Sequence, residues 1–271
     1  MSLCTLTSTD RLALIFKEPY GVVLGIAPWN AAFILAIRAV ATPILCGNTA
    51  ILKASELIPR THHFIGEIFR DAGLPEGVLN IVQHSRENAA EVVNALIAHP
   101  AVRKINFTGS TAVGKIIAQA AGIHLKPVLM ELGGKSSCIV LDDADLLKAA
   151  KAVVMGGFLN VGVMIPHAKA ITHTLQHGQV CMGTERVIVM HSVAEDFRKA
   201  LVREAQAFSP GSAVTLAGAK RTESLVESAL RRVLGLNSDL LRWKMLPCGQ
   251  LLLVVSLKRW ICSTVSHLVL Q

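Results

Sequence analysis

The chain has 271 residues, 52% of them apolar and 17% charged, a balance that supports a sizeable core and excludes a disordered chain. Mean hydropathy is +0.48, yet no uninterrupted apolar run reaches the roughly 20 residues a membrane-spanning helix needs. The net charge of +8 comes mostly from residues 211–271, with no basic run interleaved with aromatics, so neither membrane nor nucleic acid is an expected partner.

In chain order, residues 22–26 read as a short buried strand. Residues 33–45 are apolar at helical length, and Cys46-Gly47-Asn48 stops them. Residues 49–53 read as the next strand. A helix is expected over 59–72, with Pro59 at its start and Gly73 just past its end. A strand over 78–82 and an amphipathic helix over 87–98 follow. Next come a strand over 103–107, a Gly-bearing turn and a helix from about 111 to 121. The rhythm closes with a strand over 138–141 and a helix over 145–158. Two stretches do not fit it, 161–176 and the tail from about 230.

This βαβα order predicts an α/β fold, a parallel sheet with helices on both faces. Such sheets bind ligands at the carboxyl ends of their strands. Three polar or Gly-rich stretches are predicted there: Pro28-Trp29-Asn30, Lys53-Ala54-Ser55-Glu56 and Thr108-Gly109-Ser110. Cysteines stand at 4, 46, 138, 181, 248 and 262 with no C-x-x-C pair, and residues 1–16 lack a secretory apolar core. Reduced thiols and a cytoplasmic location are expected, and a lone cysteine there is a candidate nucleophile. For Cys181 the alternative is a buried structural thiol. For Asn30 it is capping of the helix that follows, and for Ser55 an N-cap ahead of Pro59. His173, His177 and Cys181 stand at i, i+4 and i+8. A closed zinc site wants a fourth ligand, which is not apparent, so no metal is expected.

Five motifs occur in order: GIAPWN (25–30), LKASE (52–56), NFTGSTAVG (106–114), MELGGK (130–135) and GQVCMGTERV (178–187). On these the chain resembles the aldehyde dehydrogenase superfamily, nearest to members acting on aromatic aldehydes such as salicylaldehyde or vanillin. The resemblance implies a Rossmann-like cofactor domain and the start of a catalytic domain. It implies oxidation of an aromatic aldehyde to a carboxylate, with Cys181 as the nucleophile that passes through a thiohemiacetal and a thioester. Glu131 is then the general base that activates the hydrolytic water from an apolar setting, and Asn30 the side-chain oxyanion donor. Ala27, Pro28 and Trp29 are expected among the cofactor contacts. Lys53 and Glu56 would hold the adenosine ribose, and a carboxylate there suits a free 2′-hydroxyl, which implies NAD rather than NADP. Gly109 to Gly114 would set a helix N-terminus near the pyrophosphate, with Ser110 adding a hydroxyl and Val113 packing on adenine. Leu132, followed by two glycines, would let backbone approach the nicotinamide.

The chain also departs from the family pattern. Glu131 and Cys181 are farther apart than the family places them. Removing residues 161–176 joins the flanks into GGFLNHGQVC, an uninterrupted family segment, so that stretch is expected to be an insert. Its first residue is Val, with GT codons, and its last is Gln, which CAG encodes; those are the two ends of a spliceosomal intron. The expected organisation is a partial cofactor domain over 1–130, a partial catalytic domain over 131–229 containing the insert, and a non-family tail over 230–271. Family members form homo-oligomers, and their interface elements are expected to fall outside this chain. A catalytically inactive nucleotide-binding remnant is the alternative function.

Overall fold

The structure is a computed structural model. It describes residues 3–8, 11–158, 180–206, 220, 224, 241–245 and 251–255. The expected insert at 161–176, with His173, His177 and Gln179, lies outside the described residues. The chain divides into two compact units, Met1–Gly133 and Gly134–Gln271.

In the first unit, β1 (Leu3–Ser8) and β2 (Arg11–Ile15) form an antiparallel hairpin that the sequence reading did not anticipate. The chain then runs through β3 (Val22–Ile26), α1 (Ala32–Leu45), β4 (Thr49–Lys53), α2 (Pro59–Asp71) and β5 (Leu79–Val82). It continues through α3 (Ala89–Ala98), β6 (Val102–Thr108), α4 (Thr111–Ile123) and β7 (Val128–Glu131). The five strands β3 to β7 make one sheet in the order β5-β4-β3-β6-β7, all pairs parallel. This is the predicted parallel sheet, and its helices cover both faces. Ala36, Ala39 and Val40 of α1 and Ile65 of α2 pack with Ala50 and Leu52 on one face. Val93 and Ile97 of α3 and Ile117 and Ala121 of α4 pack with Leu24, Ile26, Ile105 and Phe107 on the other. Central strand β3 is therefore buried from both sides, which is why it reads as an unbroken apolar run.

Helix α1 lies very close to β3. A Cβ added at Gly25 would stand 3.0 Å from the Ala39 side chain and 3.2 Å from its carbonyl oxygen. Pro43 sits inside α1 and has no N–H to give the Ala39 carbonyl. The side-chain amide of Asn106, beside Gly25 in the sheet, donates to that carbonyl at 3.3 Å instead. Both α1 and α2 end in a left-handed glycine, Gly47 at φ +81° and Gly73 at φ +84°. At each end the second and third residues after the helix donate back to its last turn, Gly47 to Ile44 and Asn48 to Pro43, then Gly73 to Arg70 and Leu74 to Phe69.

In the second unit, β8 (Ser136–Val140), α5 (Leu146–Phe158), β9 (Thr184–Val189) and α6 (Ala194–Ala205) form a small α/β layer. Strands β8 and β9 pair in parallel. Fully buried Phe197 of α6 packs with Val140, Ala150, Val154 and Val189. Farther along, β10 (Leu241–Met245) and β11 (Leu251–Val255) pair as an antiparallel hairpin within the expected non-family tail.

Candidate functional site

Because all five strands of the large sheet are parallel, their carboxyl ends fall on one edge: Ile26, Lys53, Val82, Thr108 and Glu131. The order reverses at β3, with β4 and β5 to one side and β6 and β7 to the other. Such a switch opens a crevice where open α/β sheets bind ligands. The stretches 27–31, 54–58 and 109–110 and the end of β7 all meet there.

After β3, Ala27 is buried, and Pro28, Trp29 and Asn30 are partly buried. The N-cap position of α1 is Ala31, so Asn30 is not the cap residue that the alternative reading required. After β4, Lys53 is only 8% exposed and its ammonium lies 3.8 Å from the Glu56 carboxylate. Burial pushes the Lys53 amine below its ordinary value, and the Glu56 charge opposes that shift. Ser55 is not the cap of α2 either, since that position is Ile58. Its hydroxyl instead accepts from the Leu57 N–H at 3.3 Å, closing a tight turn. A cavity of about 340 Å³ opens beside this turn, lined by Ala54, Ser55, Glu56, Pro59, Gln83 and His84. That is within the range of small-ligand sites.

Sequence reasoning passed over one residue here. His62, in the first turn of α2, is wholly buried. Its Nδ1 accepts the Ser55 N–H at 3.0 Å, and its Nε2 lies 3.2 Å from the Ala32 carbonyl oxygen. Burial lowers its basicity most, the bond to Ala32 raises it, and the Lys53 charge lowers it again. The folded ring is thus less basic than a free imidazole. A histidine of depressed basicity contributes stability that is present above the unfolded pKa and lost as pH falls below it. The melting temperature is therefore expected to drop as pH is taken from about 7.5 to about 5.5, and to drop less in His62→Gln, which cannot titrate there.

At the glycine turn after β6, the Ser110 hydroxyl accepts from the Val113 N–H at 3.3 Å and caps α4. Its own hydrogen stays available to a ligand oxygen. No acidic residue occupies the first turn of α4, so the helix N-terminus keeps its positive end. Val113 is exposed there. Gly109 and Gly114 both serve close packing. A Cβ at Gly109 would come within 2.6 Å of the Phe107 ring, and one at Gly114 within 2.6 Å of the Leu132 side chain. The Leu132 side chain is thus committed to α4, which leaves its backbone at the edge of the sheet.

Glu131 ends β7, and its carbonyl accepts the Gly109 N–H at 3.0 Å. Its side chain is exposed and lines a cavity of about 370 Å³ with Arg38, Lys104, Asn106 and Thr108. The rest of the lining is largely apolar, from Tyr20, Val23, Ala39, Pro43, Phe107 and Leu129. The charged neighbours come from α1 and β6.

Cys181 belongs to the second unit. It sits in the turn where the Gly183 N–H donates to the Val180 carbonyl at 3.0 Å, directly ahead of β9. It is a free thiol and exposed, which removes the buried structural alternative. Lys135, before β8, pairs with Glu185 of β9 and ties the two strands together next to that turn. The structure thus gathers Asn30, Glu131, Ala27, Pro28, Trp29, Lys53, Glu56, Gly109, Ser110, Val113, Gly114 and Leu132 on one edge of the first unit, and Cys181 stands in the second. Among the described residues there is no group of three or more metal-ligating side chains. Nor is any described helix long and apolar enough to cross a membrane.

The family model "Aldehyde dehydrogenase family" matches residues 2–165 and 167–234. A vanillin dehydrogenase of Pseudomonas fluorescens is 44% identical over 230 residues, which is 81% of this chain and 44% of that protein. A salicylaldehyde dehydrogenase of Pseudomonas putida is 45% identical over 202 residues, 74% of this chain and 38% of that protein. Among solved structures, a salicylaldehyde dehydrogenase from Pseudomonas putida complexed with salicylaldehyde superposes with a TM-score of 0.75 at 39% identity, covering 84% of this chain and 46% of its own. A betaine aldehyde dehydrogenase from Staphylococcus aureus in complex with NAD+ gives 0.71 at 27% identity, covering 84% and 44%. The chain spans about half the length of the curated relatives it matches. With the family model covering most of the chain and the α/β edge carrying the expected residues, this chain belongs to the aldehyde dehydrogenase family.

Proposed function

We propose that this chain carries the NAD-binding edge and the cysteine nucleophile of a dehydrogenase that oxidises an aromatic aldehyde to its carboxylate. The observation that carries the reading is the gathering of every expected cofactor residue on one sheet edge, with a cavity beside Glu56 and the N-terminus of α4 at Ser110. These features suit a dinucleotide. The cavity offers a carboxylate for ribose hydroxyls, and the first turn of α4 offers N–H groups to a pyrophosphate. NAD, when bound, supplies the hydride acceptor.

The remaining chemistry falls to the chain's own side chains. The Cys181 thiolate adds to the aldehyde carbon, and the Asn30 amide donates to the oxygen as it becomes negative. Loss of hydride leaves a thioester on Cys181. Glu131 takes a proton from the water that opens it. The relatives that act on vanillin and salicylaldehyde support an aromatic aldehyde as substrate. The free thiols Cys46, Cys138 and Cys181 fit a reducing, cytoplasmic setting, and family membership supports assembly into a homo-oligomer.

Purified chain is tested with NAD and benzaldehyde-type aldehydes, following NADH absorbance. A folded preparation without turnover refutes the activity. Cofactor choice is tested separately at Glu56. Glu56→Gln removes a charged acceptor, so NAD affinity is expected to fall about tenfold while the penalty against a 2′-phosphate shrinks. Calorimetric titration with NAD and NADP reads both changes.

A further inference from the structure

The loops 27–31 and 54–58 carry Asn30 and Glu56, and one side chain outside both bridges the second loop to the first residue of α1, which follows the first loop. His62 reaches Ser55, next to Glu56, through Nδ1 at 3.0 Å. It reaches Ala32, two residues after Asn30, through Nε2 at 3.2 Å. The chemistry of those partners leaves one arrangement. An amide N–H only donates, so Nδ1 is the bare nitrogen; a carbonyl only accepts, so Nε2 carries the hydrogen. The ring is neutral, in a single tautomer, with both nitrogens satisfied. Ser55 is 5% exposed and His62 0%. The ring and the Ser55 N–H are therefore shut off from water and the Ala32 carbonyl partly so, and losing either bond strands a buried ring nitrogen.

Filling space does not call for this residue. Ile65, one turn along α2, is equally buried and is apolar. His62 spends its ring on two backbone groups from different segments, Ser55 next to Glu56 and Ala32 at the start of α1 two residues after Asn30.

We propose that His62 is a positioning residue for the cofactor edge, a latch that holds the Ser55–Glu56 turn and the start of α1 behind Asn30 at one spacing. Its functional consequence rests on the reading of this edge as an NAD site. The Lys53–Glu56 pair approaches from the same turn, so the latch also sets where that pair meets a ribose.

The test uses the full chain and four variants, His62→Ala, His62→Asn, His62→Gln and His62→Phe. NAD is titrated by calorimetry, and amide hydrogen exchange is read in segments 27–32 and 54–58. In His62→Ala, NAD affinity is expected to fall about tenfold and exchange to quicken in both segments. The Asn amide oxygen stands where Nδ1 stood, so His62→Asn restores protection in 54–58 alone. The Gln amide nitrogen reaches the place of Nε2, so His62→Gln restores protection in 27–32 alone. That split is one a packing role would not produce. Should His62→Ala not fold, the Asn and Gln variants decide the matter between them. Wild-type NAD affinity and exchange in His62→Phe, which keeps the bulk and loses both bonds, overturn the proposal. A wild-type chain that takes up no NAD refutes the cofactor reading separately. The exchange pattern then decides the latch alone: quicker exchange in both segments of His62→Ala upholds it, and unchanged exchange overturns it.

Discussion

Cys181→Ser is expected to abolish NADH formation from an aromatic aldehyde, by about 10⁴-fold or more, because a hydroxyl at neutral pH is a far poorer nucleophile than a thiolate. The same substitution is expected to leave NAD affinity within about twofold of the parent chain, since serine differs from cysteine by one atom and the proposed ribose and pyrophosphate contacts belong to other residues. Cys181 is exposed and sits in a turn ahead of β9. Its replacement by serine removes no buried volume and no described hydrogen bond. Steady-state kinetics and calorimetry on one preparation read both numbers. A variant that keeps a tenth of the parent's turnover would show that another group attacks the aldehyde. Cys46, the other exposed thiol among the described residues, is the control, and its substitution is expected to leave turnover unchanged.

The second large effect is expected at Asn30. If Asn30 donates to the oxyanion as proposed, Asn30→Ala removes a stabiliser of charge that exists only in the transition state, and kcat is expected to fall about 10²–10³-fold with KM little changed. A structural role for Asn30 would instead lower the melting temperature and raise KM. The helix that follows has Ala31 at its cap position, so loss of a helix cap does not account for a kinetic defect. Asn30→Asp, which keeps the shape and replaces the donor with an acceptor of like charge, is expected to be at least as damaging. A kcat for Asn30→Ala within about threefold of the parent would remove Asn30 from the chemistry.

Much of the fold was legible because its strands are short apolar runs bounded by turn residues. Strands β3 and β4 matched their predicted spans, since each is closed by a polar stretch at the carboxyl edge. Helix α2 announced both ends through Pro59 and Gly73. Strand β7 was not anticipated: it has four residues, lies at the sheet edge and is mostly exposed, so its apolar pattern is weak. It exists because residues 105–108 pair with it, and a contact between β6 and β7 has no local signature. The hairpin of β1 and β2 was missed for the same reason.

The site followed the same division. Motif residues were placed on the right edge because strand ends follow from strand order. The capping alternatives for Asn30 and Ser55 depended on where each helix begins to within one residue, which local sequence does not resolve. His62 was invisible because its partners are backbone atoms 7 and 30 positions away. The signal available was a histidine on the face of α2 that also carries buried Ile65. The lining beside Glu131, with Arg38 and Lys104 among apolar side chains, comes from elements distant in sequence and had no local signature.

Pro43 and Asn106 stand 63 positions apart, yet in this fold one compensates for the other. The proline leaves the Ala39 carbonyl without its helical donor, and the asparagine amide supplies another from the neighbouring strand. A lineage that exchanged Pro43 for an ordinary helix former would release Asn106 from its duty. One that lost Asn106 first would carry a thirsty carbonyl inside the layer between α1 and β3. The order of the two changes therefore matters, and drift through the proline side is the passable route.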